Sequence, residues 1–166
     1  MKNCHQSNNR QQENIQELEN LKYYLEFSSR VEAAPTIGPK TAEKLEKIGI
    51  CTVSDLLEND ALDIAEQLGQ RRIKSDDVDQ WQKQALLVCE VPNLRGHDAQ
   101  LLVACGINNA VQLAGMEPEP LYEIIGPFAK SKDGKKLLRG STQPDLAEVR
   151  NWVRWARYKQ RNRQAA

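Results

Sequence analysis

Gly38, Pro39, Lys40 and Thr41 lie in the stretch APTIGPKTAEKLEKIGI, residues 34–50, and could together hold an anion. The first N–H groups of a helix have no intrahelical partner and carry partial positive charge, so a helix start attracts phosphate. Gly38 permits a tight bend and close approach of a ligand. Pro39 suits the first helical position, where its missing N–H costs nothing. The donors are then the amides of Lys40 and Thr41, with the Thr41 hydroxyl in addition. The Lys40 ammonium adds charge, and Lys44 and Lys47 extend a positive side. Glu43 and Glu46 weaken it, and a plain solvated helix face accounts for these lysines as well.

The stretch returns as VPNLRGHDAQLLVACGI, residues 91–107, at a constant spacing of 57. Pro35 matches Pro92, Ala42 matches Ala99, Leu45 matches Leu102, and Gly49-Ile50 matches Gly106-Ile107. The bend itself is rewritten: Arg95 stands where Gly38 stood, and Asp98 where Thr41 stood. A carboxylate at a helix start caps it and repels phosphate, and His97 reads as a surface or capping residue. The first copy is therefore the candidate binder and the second the candidate support.

A second pair of elements repeats at a different interval. Val78, Trp81 and Ala85 match Val149, Trp152 and Ala156 at a spacing of 71. The 14-residue difference predicts one insertion within FAKSKDGKKLLRGSTQ, residues 128–143. Two spacings held across separate elements indicate a duplicated helical unit, with the tryptophans as its core pins.

Charge is distributed unevenly. Net charge is zero, yet residues 1–128 carry 12 Lys and Arg against 20 Asp and Glu, while residues 129–166 carry 11 against 3. Arg150, Arg154, Arg157 and Arg161 are spaced four, three and four, so they share one helix face. That face, with the lysines of the insertion, is either an electrostatic footprint for nucleic acid or a basic end that packs over an acidic body.

Other chemistry finds little support. Cys4, Cys51, Cys89 and Cys105 form no C-x-x-C pair, and His5 and His97 are the only histidines, so neither a metal site nor a cofactor is expected. Cys51, Cys89 and Cys105 sit in apolar stretches and read as buried thiols. Neither a Walker-type loop nor G-x-S-x-G is present, which predicts a non-enzymatic protein. No apolar run of about 20 residues offers a membrane span, and the polar N-terminus offers no secretory signal. A cytoplasmic protein is expected.

The elements that must position these residues are helical. Leu, Ala, Glu, Gln and Lys dominate, aromatics are only 5%, and the composition favours an all-α fold. Residues 1–12 read as a disordered polar tail and 13–30 as an amphipathic helix. Residues 31–90 read as the first unit, 91–158 as the second with its basic insertion, and 159–166 as a basic tail. SSRVEAAP offers a serine cap and a one-turn helix, and Leu62, Ile64, Ala65 and Leu68 form an inward stripe. The N-terminal stripe covers about two heptads, short of a coiled coil, which predicts a monomer or weak self-association.

The bend PTIGPKTAEKLEKIGI resembles the second half of a helix-hairpin-helix motif, and its two copies resemble a tandem helix-hairpin-helix domain. From about Val31 to Ala156, including CTVSDLLE, the chain looks closer to a bacterial tandem family of undefined function. The chain departs from the motif at its first bend glycine, which is Thr36 in one copy and Asn93 in the other. The resemblance implies duplex DNA gripped through the minor groove and backbone without reading sequence. The residues expected to contact it are Gly38, Lys40, Thr41, Lys44, Arg150, Arg154 and Arg157. A protein-interaction or scaffolding module with purely architectural hairpins is the alternative.

Overall fold

The computed structural model describes residue 12, residues 15–17 and residues 19–165, and among these the fold is all-helical. Nine α-helices follow a 3₁₀ turn at Val31–Ala33. They are α1 (Pro39–Lys47), α2 (Val53–Glu58), α3 (Ala61–Leu68), α4 (Ser75–Glu90), α5 (Gly96–Ala104), α6 (Ala110–Ala114), α7 (Pro118–Lys130), α8 (Lys132–Leu138) and α9 (Leu146–Ala165). The only strand-like pairing among the described residues is an isolated bridge between Arg30 and Thr52.

The duplication is written in the backbone. Thr36 and Asn93, 57 residues apart, both take left-handed geometry, with φ of 70° and 60°. Gly49 and Gly106 share a φ of 89° after α1 and α5. There the Ile50 N–H reaches the Leu45 carbonyl at 3.0 Å, and the Ile107 N–H reaches the Leu102 carbonyl at 2.9 Å. Each following helix starts on a cap of the same design made from different residues. Thr52 Oγ1 accepts from the Asp55 N–H, and Asp55 returns a carboxylate to the N–H groups of Cys51 and Thr52. In the second copy Asn109 Oδ1 accepts from the Gln112 N–H, and Gln112 Oε1 accepts from the Asn108 N–H. Side-chain amides there do the work that a hydroxyl and a carboxylate do in the first.

One continuous core joins the two copies. Val78, Ala85, Val149 and Ala156 are fully buried, with Trp81 at 7% exposure and Trp152 at 0%. The tryptophan helices α4 and α9 therefore present the same triplet inward, as the spacing of 71 predicts. Helix α3 starts at Ala61 and α7 at Pro118, still 57 apart, whereas α4 and α9 start 71 apart. The insertion therefore lies where the sequence indicates: it lengthens α7 and adds α8. Gly134 fits α8 against α7 so closely that a Cβ would collide with the Phe128 carbonyl oxygen and lie 2.7 Å from Ala129 Cα.

Several expectations change. Of the polar tail 1–12, only Gln12 is described, and it is helical; the rest lies outside the described residues. The helix expected over 13–30 ends by Glu19, and residues 21–30 run as an irregular strap. Backbone hydrogen bonding decides this: the carbonyls of Phe27 and Ser29 accept from Ser54 and Val53 at 2.9 Å, serving the open N-terminus of α2. A helix through the same residues would consume those carbonyls. Ser29 caps nothing downstream, because its hydroxyl accepts from the Glu26 N–H. Leu62 is 53% exposed, while Ile64 and Leu68 carry the inward face of α3. Cys51 is exposed; Cys89 is buried and Cys105 half-buried. Burial pushes the Cys89 thiol up to about 11 and raises Cys105 as well. The basic tail at 159–165 is the end of α9 rather than a separate segment. No helix among the described residues is long and apolar enough to cross a membrane.

Trp152→Ala is expected to cost about 3–5 kcal/mol in urea denaturation, the range for a fully buried aromatic. Gly134→Ala should cost about 1–3 kcal/mol by overpacking two backbones, with little change in helical content by circular dichroism.

Candidate functional site

Helix α1 begins without a side-chain cap. Gly38 is its N-cap in extended geometry (φ −87°, ψ 176°), Pro39 follows at the first position, and no acidic residue occupies the first turn. The Lys40 and Thr41 amides thus stand at an open, electropositive helix start. Lys40 is exposed and has no hydrogen bond or ion pair among the described residues. Lys44 instead turns its ammonium to Gln70 Oε1 at 3.1 Å, and Lys47 pairs with Glu43 at 3.3 Å. Of the three lysines on α1, only Lys40 lacks a polar partner among the described residues.

The first bend opens into a hollow of about 320 Å³ that it shares with α5 and the inserted α8. Gly38 and Thr36 form one wall, His97 and Gln100 another, and Arg139 and Ser141 a third. Arg139 is exposed and ends α8 in left-handed geometry, with φ of 48°. Its place beside the bend was missed by sequence reasoning. The available signal was only that the insertion is basic, which does not say where its last turn comes to rest.

Thr36 is locked from both sides. Its hydroxyl donates to Gln84 Oε1 at 2.6 Å and accepts from Gln100 Nε2 at 2.8 Å. Gln84 is a buried polar residue of α4, and Thr36 supplies the partner that such a group requires. The first bend is thereby tied to α4 of its own copy and to α5 of the other. The two bends also touch: a Cβ at Gly96 would lie 3.5 Å from Pro35 Cγ.

The second bend is closed. Asp98 is buried at the start of α5, where its carboxylate accepts from the Arg95 N–H at 3.1 Å and lies 3.3 Å from His97 Nε2. Burial raises the Asp98 carboxyl to about 6, against the opposing pull of His97 and the Arg95 amide. The left-handed residue is occupied too. Asn93 Oδ1 accepts from the Lys22 N–H at 3.0 Å, and the Asn93 N–H donates to the Lys22 carbonyl at 2.7 Å. The strap thus occupies the second bend with a paired backbone contact. The first bend thus borders a hollow, while the second is bonded to the strap.

The arginine row of α9 lies elsewhere. Arg150 reaches Glu119 at 2.7 Å and Arg154 reaches Glu17 at 2.7 Å. Arg157 donates to the carbonyls of Ala114 and Met116, both at 2.9 Å, and pairs with Glu117 at 3.3 Å. It thereby closes the C-terminal end of α6, where carbonyls lack partners and a cation is favourable. The four arginines line a separate hollow with Pro118 and Tyr158. None of them borders the hollow at the first bend. Of the seven residues expected to contact a ligand, Gly38, Lys40 and Thr41 are together at an open site. Lys44 is turned aside, and the three arginines are bonded to the acidic body.

An all-helical protein built by internal duplication, with one open and one closed helix start, is the class defined by this architecture. The DUF4332 family, a domain of unknown function, matches residues 35–159, and the chain belongs to it. No curated protein and no solved structure matches the chain.

The buried Asp98 sets a pH dependence. Its folded pKa lies above the unfolded value, so the native state holds a proton through a window from about pH 4 to 6 that the unfolded chain has lost. Stability contributed by this group is therefore present below that window and lost as pH rises through it. Asp98→Asn keeps an acceptor for the Arg95 N–H and removes the titration. Urea midpoints at pH 4, 5, 6 and 7 should show a flatter profile in the variant, by roughly 1–3 kcal/mol across the window.

Proposed function

We propose that the chain is a tandem helix-hairpin-helix protein that binds double-stranded DNA through its backbone, without enzymatic chemistry and without reading sequence. The observation that carries this reading is the uncapped, acid-free start of α1, whose Gly38 borders the same hollow as Arg139 and whose Lys40 has no ion pair among the described residues. At the equivalent start of α5 a buried carboxylate, Asp98, occupies the first turn and bonds the Arg95 amide. Phosphate would meet the Lys40 and Thr41 amides, with Gly38 allowing close approach and Lys40 and Arg139 supplying charge. Such contacts position a duplex but do not specify a sequence. The arginines of α9 stand outside this footprint, because they already serve Glu119, Glu17 and the end of α6.

A scaffolding reading is favoured by a different observation. The second bend takes a polypeptide, since both backbone groups of Lys22 are bonded to Asn93. A partner's extended chain is then the alternative ligand for this fold.

Fluorescence anisotropy with unrelated duplexes at about 50 mM salt separates the two readings. Backbone binding predicts similar, modest affinities and a log K against log salt slope of about −2 for the two cations Lys40 and Arg139, at about −0.9 per neutralised phosphate. Lys40→Glu should weaken binding and flatten the slope by about one or more. Arg150→Gln should leave the affinity unchanged. No duplex binding by the folded protein gives the site to the scaffolding reading.

A further inference from the structure

The chain has three Trp, four Tyr and two Phe. Trp81 and Trp152 are buried, while Trp155, Tyr122 and Phe128 pack against the core. The aromatics left exposed are Tyr23, Tyr24 and Phe27, at 37%, 50% and 48%, all within five residues of the strap. A fold with so few aromatics that leaves three exposed within one five-residue segment departs from what burial alone would favour. The strap is also held firmly, so the rings sit on an ordered support. Leu25 is buried between them, Lys22 is bonded twice to Asn93, and the carbonyls of Phe27 and Ser29 serve α2.

Cations accompany two of the rings. Lys22 Nζ lies 5.2 Å from the centre of the Tyr24 ring. Lys159 Nζ lies 5.0 Å from the centre of the Tyr23 ring and 3.3 Å from its hydroxyl. The strap also holds one exposed carboxylate, Glu26, whose amide donates to Ser29 Oγ. An apolar protein surface laid over these rings would strip water from two ammonium groups without supplying a counter-charge, which is costly. A single strand supplies both needs, because each unpaired base has a face to stack and each linkage carries a phosphate.

We propose that the strap is a stacking platform for the unpaired bases of a single-stranded nucleic acid. Tyr23, Tyr24 and Phe27 receive base faces, and Lys22 and Lys159 meet the phosphates between them. This surface is distinct from the open start of α1 and stands whether or not that site binds duplex. The strap lies against the second bend, which touches the first through Gly96 and Pro35.

The test uses the full chain with fluorescein-labelled dT15 and rU15 and, in parallel, a blunt 15-bp duplex, all at about 50 mM salt. Binding of at least one single strand is expected, and the tighter of the two identifies it as DNA or RNA. Tyr24→Ala or Phe27→Ala should weaken that complex by about 5- to 150-fold each, the range for losing one stacked base. Tyr24→Phe keeps the ring and should stay within about twofold. Because these side chains are exposed, the variants should keep the wild-type melting temperature. Lys40→Glu should leave strand binding nearly unchanged while acting on the duplex, so the two sites fail separately. The proposal is overturned if neither strand binds, or if the triple alanine variant binds as tightly as wild type. A strand affinity lost with Lys40→Glu and kept in the triple variant also overturns it, by assigning the strand to the first bend.

Discussion

Holding a residue other than glycine at a left-handed bend is the constraint from which the architecture follows. Such a conformation costs on the order of 1–2 kcal/mol and persists only where the surroundings fix it from several sides. Thr36 and Asn93 both adopt it, 57 residues apart, and each is fixed by side-chain hydrogen bonds. Thr36 is held by Gln84 below and Gln100 from the neighbouring copy, which draws α4, α5 and the first bend into one unit. Asn93 is held by the backbone of Lys22, which pins the strap across the second copy. The same backbone problem thus has two solutions, and they determine which bend stays open.

The closed and open starts differ in electrostatics as well as access. At α5 the chain supplies its own anion, Asp98, and buries it at the cost of a raised pKa. At α1 no described residue plays that part, and its N-cap Gly38 borders a hollow walled by the inserted α8. The two copies share their bend geometry while differing in the residues at the helix start. The fold needs the left-handed bend, the glycine after the helix and the buried triplet. The residue at the helix start is left free to vary.

Zero net charge conceals a division of labour among the cations. Arg150, Arg154 and Arg157 neutralise carboxylates on other elements, and Arg157 also satisfies the carbonyls of Ala114 and Met116 at and beyond the end of α6. Exposed pairs of this kind contribute little stability individually, but they draw the basic end onto the acidic body. Lys40 and Arg139, by contrast, have no ion pair among the described residues. Helical spacing shows that arginines share a face, but it cannot show that an acidic element already covers that face.

Within the sequence alone, the repeat was fully legible. Spacings of 57 and 71 located both copies, the buried triplets and the insertion, because identical backbone turns require their glycines and core residues at identical intervals. The uncapped start at Gly38 and the carboxylate at Asp98 were also legible, since both are local features of a few consecutive residues. Long-range pairing was not. The strap resembles a helix by its apolar period, yet its carbonyls are taken by α2 and its Lys22 backbone by Asn93, partners 24, 27 and 71 residues away. Arg139 reached the first bend, and the α9 arginines left it, through the same kind of contact. Local periodicity records which residues prefer to be buried, but tertiary packing alone decides which polar groups find each other, and that choice set the site.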